Sequence, residues 1–369
     1  MKKNSSSIKE IISEAKQGKM FILVDNKDRE NEGDLVVPAS KANPKKINFM
    51  AKHGRGLICL ALTSKKVRKL NLPLMSLINK SRTQTAFTVS IESKKGISTG
   101  ISAYDRAKTV KVAIKPSSTK KDIVSPGHVF PLVAKNGGVL ERAGHTEASV
   151  DISKLAKLNP SAVICEVMNE DGTMARYKDL IPFAKKHRLK IAKIEDLISY
   201  RLKNEIFVRC ISSKKIKIKN FGNFDLKTFK NKLDGSEHYA ITKGKFNSSK
   251  ASRVRVISTN ILNSFFNLNK NIFKNSLKHL NRFNNFALIL IKGTNPNPTS
   301  SEKSNILRYY GVGAQIIKEL KIKNMILVSR SKKRVIALKG YGIKIIKQEI
   351  IKWIKKFALL FLHITNILQ

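Results

Sequence analysis

The most constraining feature of the chain is a short acidic run, Asp25 to Asp34, that lies between two apolar segments. The whole chain carries a formal net charge of +46, yet five of these ten residues are acidic. Carboxylates this close together repel one another unless a cation or a basic group lies among them. Carboxylate oxygens are also the ligands that Mg²⁺ prefers, and Arg29 within the run is suited to hold a phosphate. The run therefore predicts either a cation-binding loop or a polar surface loop between two strands.

The length and charge of the chain set broad limits on its class. A chain of 369 residues exceeds one ordinary core, so two domains are expected. The excess of 72 Lys and Arg over 26 Asp and Glu indicates polyanionic partners or phosphorylated substrates. Codon usage offers another explanation, because A/T-rich codons encode Lys, Asn and Ile, which are all abundant here. We find no RNP-like aromatic motif and no zinc-finger spacing, and therefore do not expect a nucleic-acid partner.

The cysteines and the apolar segments indicate the compartment. Cys59, Cys165 and Cys210 are far apart and odd in number, which fits neither a disulfide framework nor a Cys-x-x-Cys metal site. Cys59 and Cys165 lie in apolar runs and are predicted to be buried. No run approaches the ~20 apolar residues of a membrane helix, and no secretory signal is evident at the N-terminus. We therefore expect a cytoplasmic protein without a membrane partner.

Hydrophobic periodicity predicts an α+β fold with two domains, each a mixed sheet packed with helices. The composition changes after Lys203, so the predicted domains are residues 1–203 and 204–369. The second contains 33 Lys and Arg against 7 Asp and Glu, a net charge of +26. The first contains most of the acids, and these fall in motifs. Within it we predict a half-buried strand over Thr85–Ile91 and a proline-bracketed loop over Pro126–Pro131.

Clustered polar groups at the ends of predicted strands and helices are the candidate site. The segment Arg142 to Thr146 precedes an apolar helix whose N-terminus offers free N–H groups to a phosphate. Gly144 lets the backbone approach closely, Arg142 and Thr146 add donors, and a neutral His145 could ligate a metal. A helix N-cap with an incidental Arg and His explains the same segment equally well.

Two further residues are candidates for proton transfer. His128 lies in the predicted stiff loop, and a rigid His is suited to proton transfer, although a lone His is more often structural. Glu166 ends an apolar strand, where partial burial would raise its pKa and make it a usable base. The alternative for Glu166 is a carboxylate that caps a neighbouring helix.

Six sequence words stand in order between residues 8 and 202: Asp28–Asp34, Thr85–Val89, Gly100–Arg106, Pro126–Pro131, Arg142–Glu147 and Asp171–Arg176. Together they resemble the 3,4-dihydroxy-2-butanone-4-phosphate synthase family. The resemblance implies a lyase that converts D-ribulose 5-phosphate to L-3,4-dihydroxy-2-butanone 4-phosphate plus formate in riboflavin biosynthesis. It also implies a homodimer with composite sites. The implied cofactor is Mg²⁺ or Mn²⁺, with two ions per site and no zinc.

The resemblance also assigns roles to individual residues. It makes Glu30 and His145 the metal ligands, and His128 and Glu166 the two residues essential for proton transfer. The implied substrate contacts are Arg29, Glu30, Asp34, Arg142, Ala143, Gly144, His145, Thr146 and Glu166, with the Arg142–Thr146 segment as the phosphate loop. Asn26 and Lys27 stand where the family is usually acidic, which reduces the negative charge around the metal.

The second domain resembles GTP cyclohydrolase II in Lys232–His238, Tyr309–Ile316 and Leu338–Ile343. That family requires a zinc ion held by three cysteines, whereas this chain has no cysteine after Cys210. Arg255–Asn260 stands where a cysteine-containing word is expected. A zinc hydrolase needs thiolate ligands to activate its water, so we predict that the domain is catalytically inactive. It would then serve dimer stability, regulation or a partner contact.

Two alternatives for the second domain remain open from sequence. Its net charge of +26 could dock RNA, which would make the chain a basic nucleic-acid-binding protein. It could also be a regulatory module that still holds a nucleotide. The loss of the loops that would grip guanine and phosphate argues against the second of these.

Overall fold

The computed structural model describes residues 5–26, 29–76, 78–80, 82–233, 235–246, 250–259, 270–292, 302–331 and 342–351. The chain forms two compact units, Met1–Asn204 and Glu205–Gln369, which are called the front and rear units below. Several residues of the sequence words lie outside the described ranges: Lys27, Asp28, Asp234, Asn260 and most of Leu338–Ile343.

The front unit is built on one seven-stranded mixed sheet. Its strands are β1 Phe21–Val24, β2 Gly33–Pro38, β3 Cys59–Thr63, β4 Ile91–Ser93, β5 Ile123–Ala134, β6 Ala162–Glu166 and β7 Lys190–Lys193. Their spatial order is β4-β5-β3-β6-β2-β1-β7. β1 runs parallel to β7 and β3 parallel to β5, whereas the other neighbouring pairs are antiparallel.

Seven α-helices accompany this sheet in the described part of the front unit: α1 Ile8–Gln17, α2 Pro44–Phe49, α3 Ser64–Leu70, α4 Ala103–Ile114, α5 His145–Leu155, α6 Tyr177–Lys186 and α7 Ile194–Asn204. Local sequence explains their ends. Ser7 and Glu10 form a capping box at the start of α1, and Gly18 closes that helix in the left-handed conformation. Asn43 caps α2, with Pro44 at its first position.

The middle strands of the sheet are buried and mainly apolar, with the carboxylates Asp34 and Glu166 near the ends of β2 and β6. Every residue of β1 and β2 is buried, and the core joins these strands to β3 and β6. Helix α5 packs against β2, β3 and β6. Val24 pairs with Gly33, so the acidic run closes an antiparallel connection at one end of β1 and β2. The acidic loop and the start of α5 are thereby held by the most buried elements of the unit.

The rear unit has a second seven-stranded mixed sheet. Its strands are β8 Val208–Ile218, β9 Gly222–Asn231, β10 Glu237–Lys243, β11 Ser252–Thr259, β12 Phe286–Lys292, β13 Asn324–Ser329 and β14 Lys344–Ile350, in the order β14-β13-β11-β12-β10-β9-β8. Two helices, Lys270–Leu280 and Glu302–Glu319, complete its described part. Phe224, Phe286 and Leu288 lie in its apolar core. The α+β prediction of two mixed sheets with helices is confirmed.

The predicted strand over Thr85–Ile91 was wrong. Only Phe87 and Thr88 form isolated bridges there, and strand β4 begins at Ile91. The Thr88 N–H donates to Pro131 O at 3.0 Å. Because proline has no N–H, it cannot return a bond at this position, and the ladder does not become continuous.

The predicted loop over Pro126–Pro131 was also wrong, since these residues belong to the twelve-residue strand β5. The pairing with β4 shifts register between Ile91, opposite Val129, and Glu92, opposite Val124. The residues of β5 between these two pairs are therefore bulged, and a bulge is one of the few places where a sheet accepts proline.

Cys59 and Cys165 are buried, as predicted, and Cys210 is exposed; all three are free thiols. Among the residues that the structure describes, no helix combines the length and apolar character needed to cross a bilayer.

Candidate active site

The acidic loop is organised around the buried carboxylate of Asp25. Its oxygens accept hydrogen bonds from the backbone N–H groups of Glu30, at 3.2 Å, and Glu32, at 2.9 Å. Arg29 donates to Asp25 Oδ2 at 2.8 Å and also contacts the Glu30 carboxylate. Asp25 therefore folds the loop back on itself, and the Arg29 guanidinium supplies the positive charge that close carboxylates require.

His145, the first residue of α5, faces this loop. Its Nδ1 atom lies 3.8 Å from Glu30 Oε2 and 3.7 Å from Asp34 Oδ1. His145 and Asp34 are only 6% and 3% exposed. The chain thus brings together a carboxylate from the acidic loop, a carboxylate from β2 and an imidazole more than a hundred residues later.

The shared burial changes the protonation of all three groups. Burial raises the pKa of Asp34, and the negative charges of Glu166 and Glu30 raise it further against the opposing effect of His145. Burial alone would lower the pKa of His145, but the carboxylates of Asp34 and Glu30 raise it above the usual value. Burial likewise opposes ionisation of Glu30, yet His145 and Arg29 lower its pKa to about 2. The cluster therefore stabilises a positive charge among its oxygens.

The donor set fits a hard divalent cation. Ligand atoms of Asp25, Glu30 and His145 all lie within 4.8 Å of one another. Asp34 Oδ1 and His145 Nε2 are buried side-chain atoms without a hydrogen-bond partner, which is costly for polar atoms unless something binds them. A metal ion binds a deprotonated imidazole nitrogen, so a cation would compete with the proton that the cluster holds on His145. Oxygen-rich ligand sets of this kind suit Mg²⁺ or Mn²⁺.

The Arg142–Thr146 segment leads directly into α5. The N-cap residue of α5 is Gly144, which has no side chain to accept hydrogen bonds from the first N–H groups of the helix. Arg142 donates to Glu147 Oε2 at 2.7 Å, to Thr85 Oγ1 at 2.9 Å and to Thr83 O at 3.0 Å. Thr146 is buried and Ala143 is half-buried. The segment is held rigidly beside the cation cluster, because His145 belongs to both.

Glu166 is the last residue of β6 and is paired with Asp34 of β2 in the sheet register. Its Oε2 atom accepts the Leu57 N–H at 2.9 Å. Gly56 packs against it so closely that an added Cβ would lie 2.5 Å from that oxygen. Glu166 is therefore brought to the same edge of the sheet as Asp34.

His128 lies elsewhere on the sheet. Its Nδ1 atom contacts the Glu92 carboxylate of β4, and its side chain is 43% exposed. Strands β3 and β6 separate β5 from β2, which corresponds to about 14 Å between the β5 and β2 backbones at neighbouring-strand spacing. The structure thus gathers Arg29, Glu30, Asp34, Glu166 and the Arg142–Thr146 segment at one place, and leaves His128 apart from them.

Sequence reasoning gave no individual role to three groups in its motifs that shape the site, Asp25, Glu147 and Arg176, and it did not name Glu92. Arg176 donates to the carbonyl oxygens of Glu30 at 2.6 Å and Asn31 at 2.9 Å, and so secures the far side of the acidic loop. Asp25 directly follows the fully apolar strand β1, and a carboxylate in that position could have been recognised from the sequence as a candidate site residue. Nothing in the sequence pairs Glu92 with His128, because the contact depends on the bulged register of β4 and β5.

This geometry defines a class: a two-domain α+β protein with a buried carboxylate–imidazole centre suited to a divalent cation, beside a candidate phosphate loop. The comparisons with known proteins agree. The sequence model of 3,4-dihydroxy-2-butanone 4-phosphate synthase matches residues 9–200, and that of GTP cyclohydrolase II matches residues 209–294 and 279–350.

Two curated relatives resemble nearly the whole chain. The riboflavin biosynthesis protein RibBA of Aquifex aeolicus is 42% identical over 376 residues, covering 94% of this chain and 92% of the relative. The 3,4-dihydroxy-2-butanone 4-phosphate synthase of Photobacterium phosphoreum is 42% identical over 357 residues, covering 93% and 98%.

Solved structures show similarity both to the whole chain and to its synthase domain alone. RibBX, a two-domain 3,4-dihydroxy-2-butanone 4-phosphate synthase from A. baumannii, is 39% identical with a TM-score of 0.81, covering 94% of this chain and all of that one. A 3,4-dihydroxy-2-butanone 4-phosphate synthase in complex with two magnesium ions is 36% identical with a TM-score of 0.52, covering 54% and 98%. The chain belongs to the 3,4-dihydroxy-2-butanone 4-phosphate synthase family and carries a GTP cyclohydrolase II domain behind the synthase domain.

Proposed function

We propose that the front unit converts D-ribulose 5-phosphate to L-3,4-dihydroxy-2-butanone 4-phosphate plus formate, as a lyase of riboflavin biosynthesis. The observation that carries the proposal is the buried cluster of Glu30, Asp34 and His145 beside the Arg142–Thr146 segment. A sugar phosphate needs both parts, one for its hydroxyl and carbonyl oxygens and the other for its phosphate. The family match over residues 9–200 supports the same reaction.

The cofactor in this proposal is Mg²⁺ or Mn²⁺, held by Glu30 and His145, with two ions per site and no zinc. The magnesium complex of the related synthase supports the number of ions. A cation in this position supplies positive charge that stabilises negative charge on the sugar oxygens. The unpartnered Asp34 Oδ1 and His145 Nε2 atoms support a ligand among these side chains.

The remaining residues bind the substrate and move protons. Arg29 and Asp34 contact the sugar, while Arg142, Ala143, Gly144 and Thr146 receive the phosphate at the start of α5. Glu166 takes a proton from the substrate, because it ends a buried strand beside Asp34 and its Oε2 atom is already aligned by the Leu57 N–H.

We further propose that the enzyme is a homodimer in which His128 serves the site of the partner subunit. His128 is half exposed and lies across β3 and β6 from Asp34, too far to share one small substrate within its own subunit. Gly100 lies against His128, since an added Cβ would be 2.8 Å from its Nδ1 atom, and the nearby Ile101 and Tyr104 are 54% and 70% exposed. Exposed apolar groups of this size are typical of protein interfaces.

The test of the proposed reaction is formate release from D-ribulose 5-phosphate and Mg²⁺. The wild-type chain should release formate, and Glu30→Gln or His145→Ala should abolish the release. Glu170→Gln is the matched control, because this carboxylate is 90% exposed in its side chain and makes only a 3.8 Å ion pair with Arg55. Undiminished release in both site variants would refute the ligand assignment.

We propose that the rear unit does not act as a GTP cyclohydrolase II. Cys210 is its single cysteine, and its Sγ atom is exposed and contacts Ser212 O at 3.4 Å. In the described part of the chain, the one cluster of three possible metal ligands lies in the front unit. The rear core nonetheless remains packed, and Arg253 pairs with both Glu349 oxygens at 3.1 and 3.0 Å. These features support a retained scaffold, used for dimer stability, regulation or a partner contact.

Incubation of the full chain with GTP and Zn²⁺ tests this second proposal. No pyrophosphate or formate should appear, because fewer than three thiolates are present to hold zinc and activate water. Turnover of GTP above that of a heat-treated sample would show that other ligands replace the cysteines.

We place the enzyme in the cytoplasm, a reducing compartment that suits its three free thiols.

A further inference from the structure

A buried ion pair lies behind the Arg142–Thr146 segment. Arg201, on the last helix of the front unit, donates from Nη1 to Asp151 Oδ2 at 2.6 Å. The same nitrogen donates to Gly137 O at 2.9 Å. Asp151 and Arg201 are only 2% and 8% exposed. Neither residue belongs to the sequence words or to the cation cluster.

The pair is joined to the chain segment that precedes the phosphate loop. The Val139 N–H donates to Asp151 Oδ2 at 2.8 Å, so this one oxygen receives both the guanidinium and the backbone. One turn earlier on α5, Glu147 Oε1 accepts the Lys135 N–H at 3.1 Å and Glu147 Oε2 accepts Arg142 Nη1 at 2.7 Å. Two buried carboxylates of one helix therefore fix the segment 135–142 at both of its ends and in its middle.

Gly138 shows how tightly this turn is fitted to Asp151. Its φ is +60°, and an added Cβ would lie 2.2 Å from both carboxylate oxygens of Asp151. A side chain at this position would meet both a strained backbone and an occupied space. The turn can therefore approach the carboxylate only as glycine.

The energetics make a purely stabilising role a poor explanation for the pair. Removing two charges from water is costly, and apolar residues of similar volume often serve stability equally well or better. Burial raises the pKa of Asp151 even against the charge of Arg201, which reflects that cost. What an apolar pair could not reproduce is the acceptor for Val139 and the donor for Gly137.

We propose that Asp151 and Arg201 are positioning residues that hold the turn at Gly137–Leu140, and through it Arg142, for the phosphate of the substrate. The inference rests on the proposed function only for the identity of that phosphate ester. Helix α5 holds the segment 135–142 through Asp151 and Glu147, and the first residue of the same helix is His145. The phosphate loop and the imidazole are thereby set against each other by one rigid element.

The test replaces the ion pair by apolar residues in the full chain, as Asp151→Leu with Arg201→Met. The expected result is a folded protein whose KM for D-ribulose 5-phosphate rises about tenfold while kcat stays within about threefold. Asp151→Asn with Arg201→Met should lower KM part of the way back to the wild-type value, because the amide oxygen can again accept the Val139 N–H while Gly137 O still lacks the donor that Arg201 supplies. Asp196→Leu with Lys203→Met, at two exposed positions of α7, is the matched control for the charge change.

Hydrogen exchange of the ligand-free protein supplies a readout that does not depend on activity. The Val139 amide should exchange faster in the Leu/Met pair than in wild type, while amides in the middle of α5 keep their protection. A wild-type chain that releases no formate would refute the proposed function and leave this exchange result to decide on the turn. If the Leu/Met pair does not fold, Gly138→Ala displaces the same turn, and Gly172→Ala, with φ +83° and open space around it, controls for backbone strain.

An unchanged KM together with unchanged Val139 exchange in a folded Leu/Met or Gly138→Ala variant would overturn the proposal. A fall in kcat at constant KM would overturn it as well, since it would mean that the pair acts on the reacting groups and not on phosphate binding. Faster Val139 exchange with a raised KM in the Leu/Met pair, both partly reversed in the Asn/Met pair, would support it.

Discussion

Gly56→Ala offers a sharp test of the role proposed for Glu166. A Cβ at Gly56 would lie 2.5 Å from Glu166 Oε2, 2.6 Å from Glu166 O and 2.7 Å from Glu166 N. Two of these atoms belong to the backbone of a central strand, so rotation of a side chain cannot relieve the overlap. The strand end and the carboxylate must therefore move, and we expect a displacement of about 1 Å, which is what an ordinary contact of about 3.5 Å requires.

The size of the effect follows from this displacement. Overpacking of this kind costs about 1–3 kcal/mol in the free energy of unfolding. Misplacing a reacting group by about 1 Å can cost on the order of a hundredfold in rate, so we expect kcat/KM to fall by about a hundredfold. The assays are formate release over a range of substrate concentrations and urea unfolding followed by circular dichroism.

Gly172→Ala separates the loss of stability from the displacement of Glu166. Its φ is +83° and no atom lies within 4 Å of the added Cβ. We expect a similar stability cost, about 1–2 kcal/mol from left-handed backbone strain, with kcat/KM within twofold of wild type. A Gly56→Ala protein that unfolds at lower urea yet keeps wild-type kcat/KM would refute the argument that Glu166 must sit where it does.

Three further predictions concern Arg142, the divalent cation and Glu10. Arg142→Lys keeps the charge but cannot reproduce the three bonds to Glu147, Thr83 and Thr85; KM for D-ribulose 5-phosphate should rise about tenfold or more, and an unchanged KM would contradict the phosphate assignment. Removal of divalent cations with EDTA should abolish formate release and added Mg²⁺ should restore it, whereas activity that survives exhaustive chelation would exclude the proposed cofactor. The backbone and hydroxyl of Ser7, followed by Lys190, lower the pKa of Glu10 to about 2, so the carboxylate stabilises the fold above the ordinary value of 4.5 and loses this effect as pH falls towards 2. Urea midpoints of Glu10→Gln should therefore lie below wild type at pH 7 and converge with it at acid pH, and a constant gap would show that the charge of Glu10 is irrelevant.

Part of the active site could be predicted because its signals are local. The apolar strand β1, the acidic run and the glycine before α5 are each visible within about ten residues of sequence, and local propensity and capping determine such elements. The whole set of sequence words between residues 8 and 202 identified the family, which the match over residues 9–200 confirms. The roles of the individual residues stay predictions.

The contacts that join these parts could not be predicted in the same way. The bulge that places Pro126 inside β5 depends on the partner strand β4, and the contact of His128 with Glu92 depends on that bulge. The fixing of the Gly137–Leu140 turn depends on Arg201, about sixty residues away in sequence, and no local pattern encodes such a partner.

The sequence by itself determined the two-domain α+β class, the acidic run and the loss of cysteines in the rear unit, because composition and short-range periodicity carry that information. Only the tertiary structure decided which carboxylates meet His145, which strands separate His128 from them, and which buried charges hold the Gly137–Leu140 turn. Those outcomes depend on the order and register of strands that are distant in sequence. The free energy of burying polar groups then selects the partners that satisfy one another.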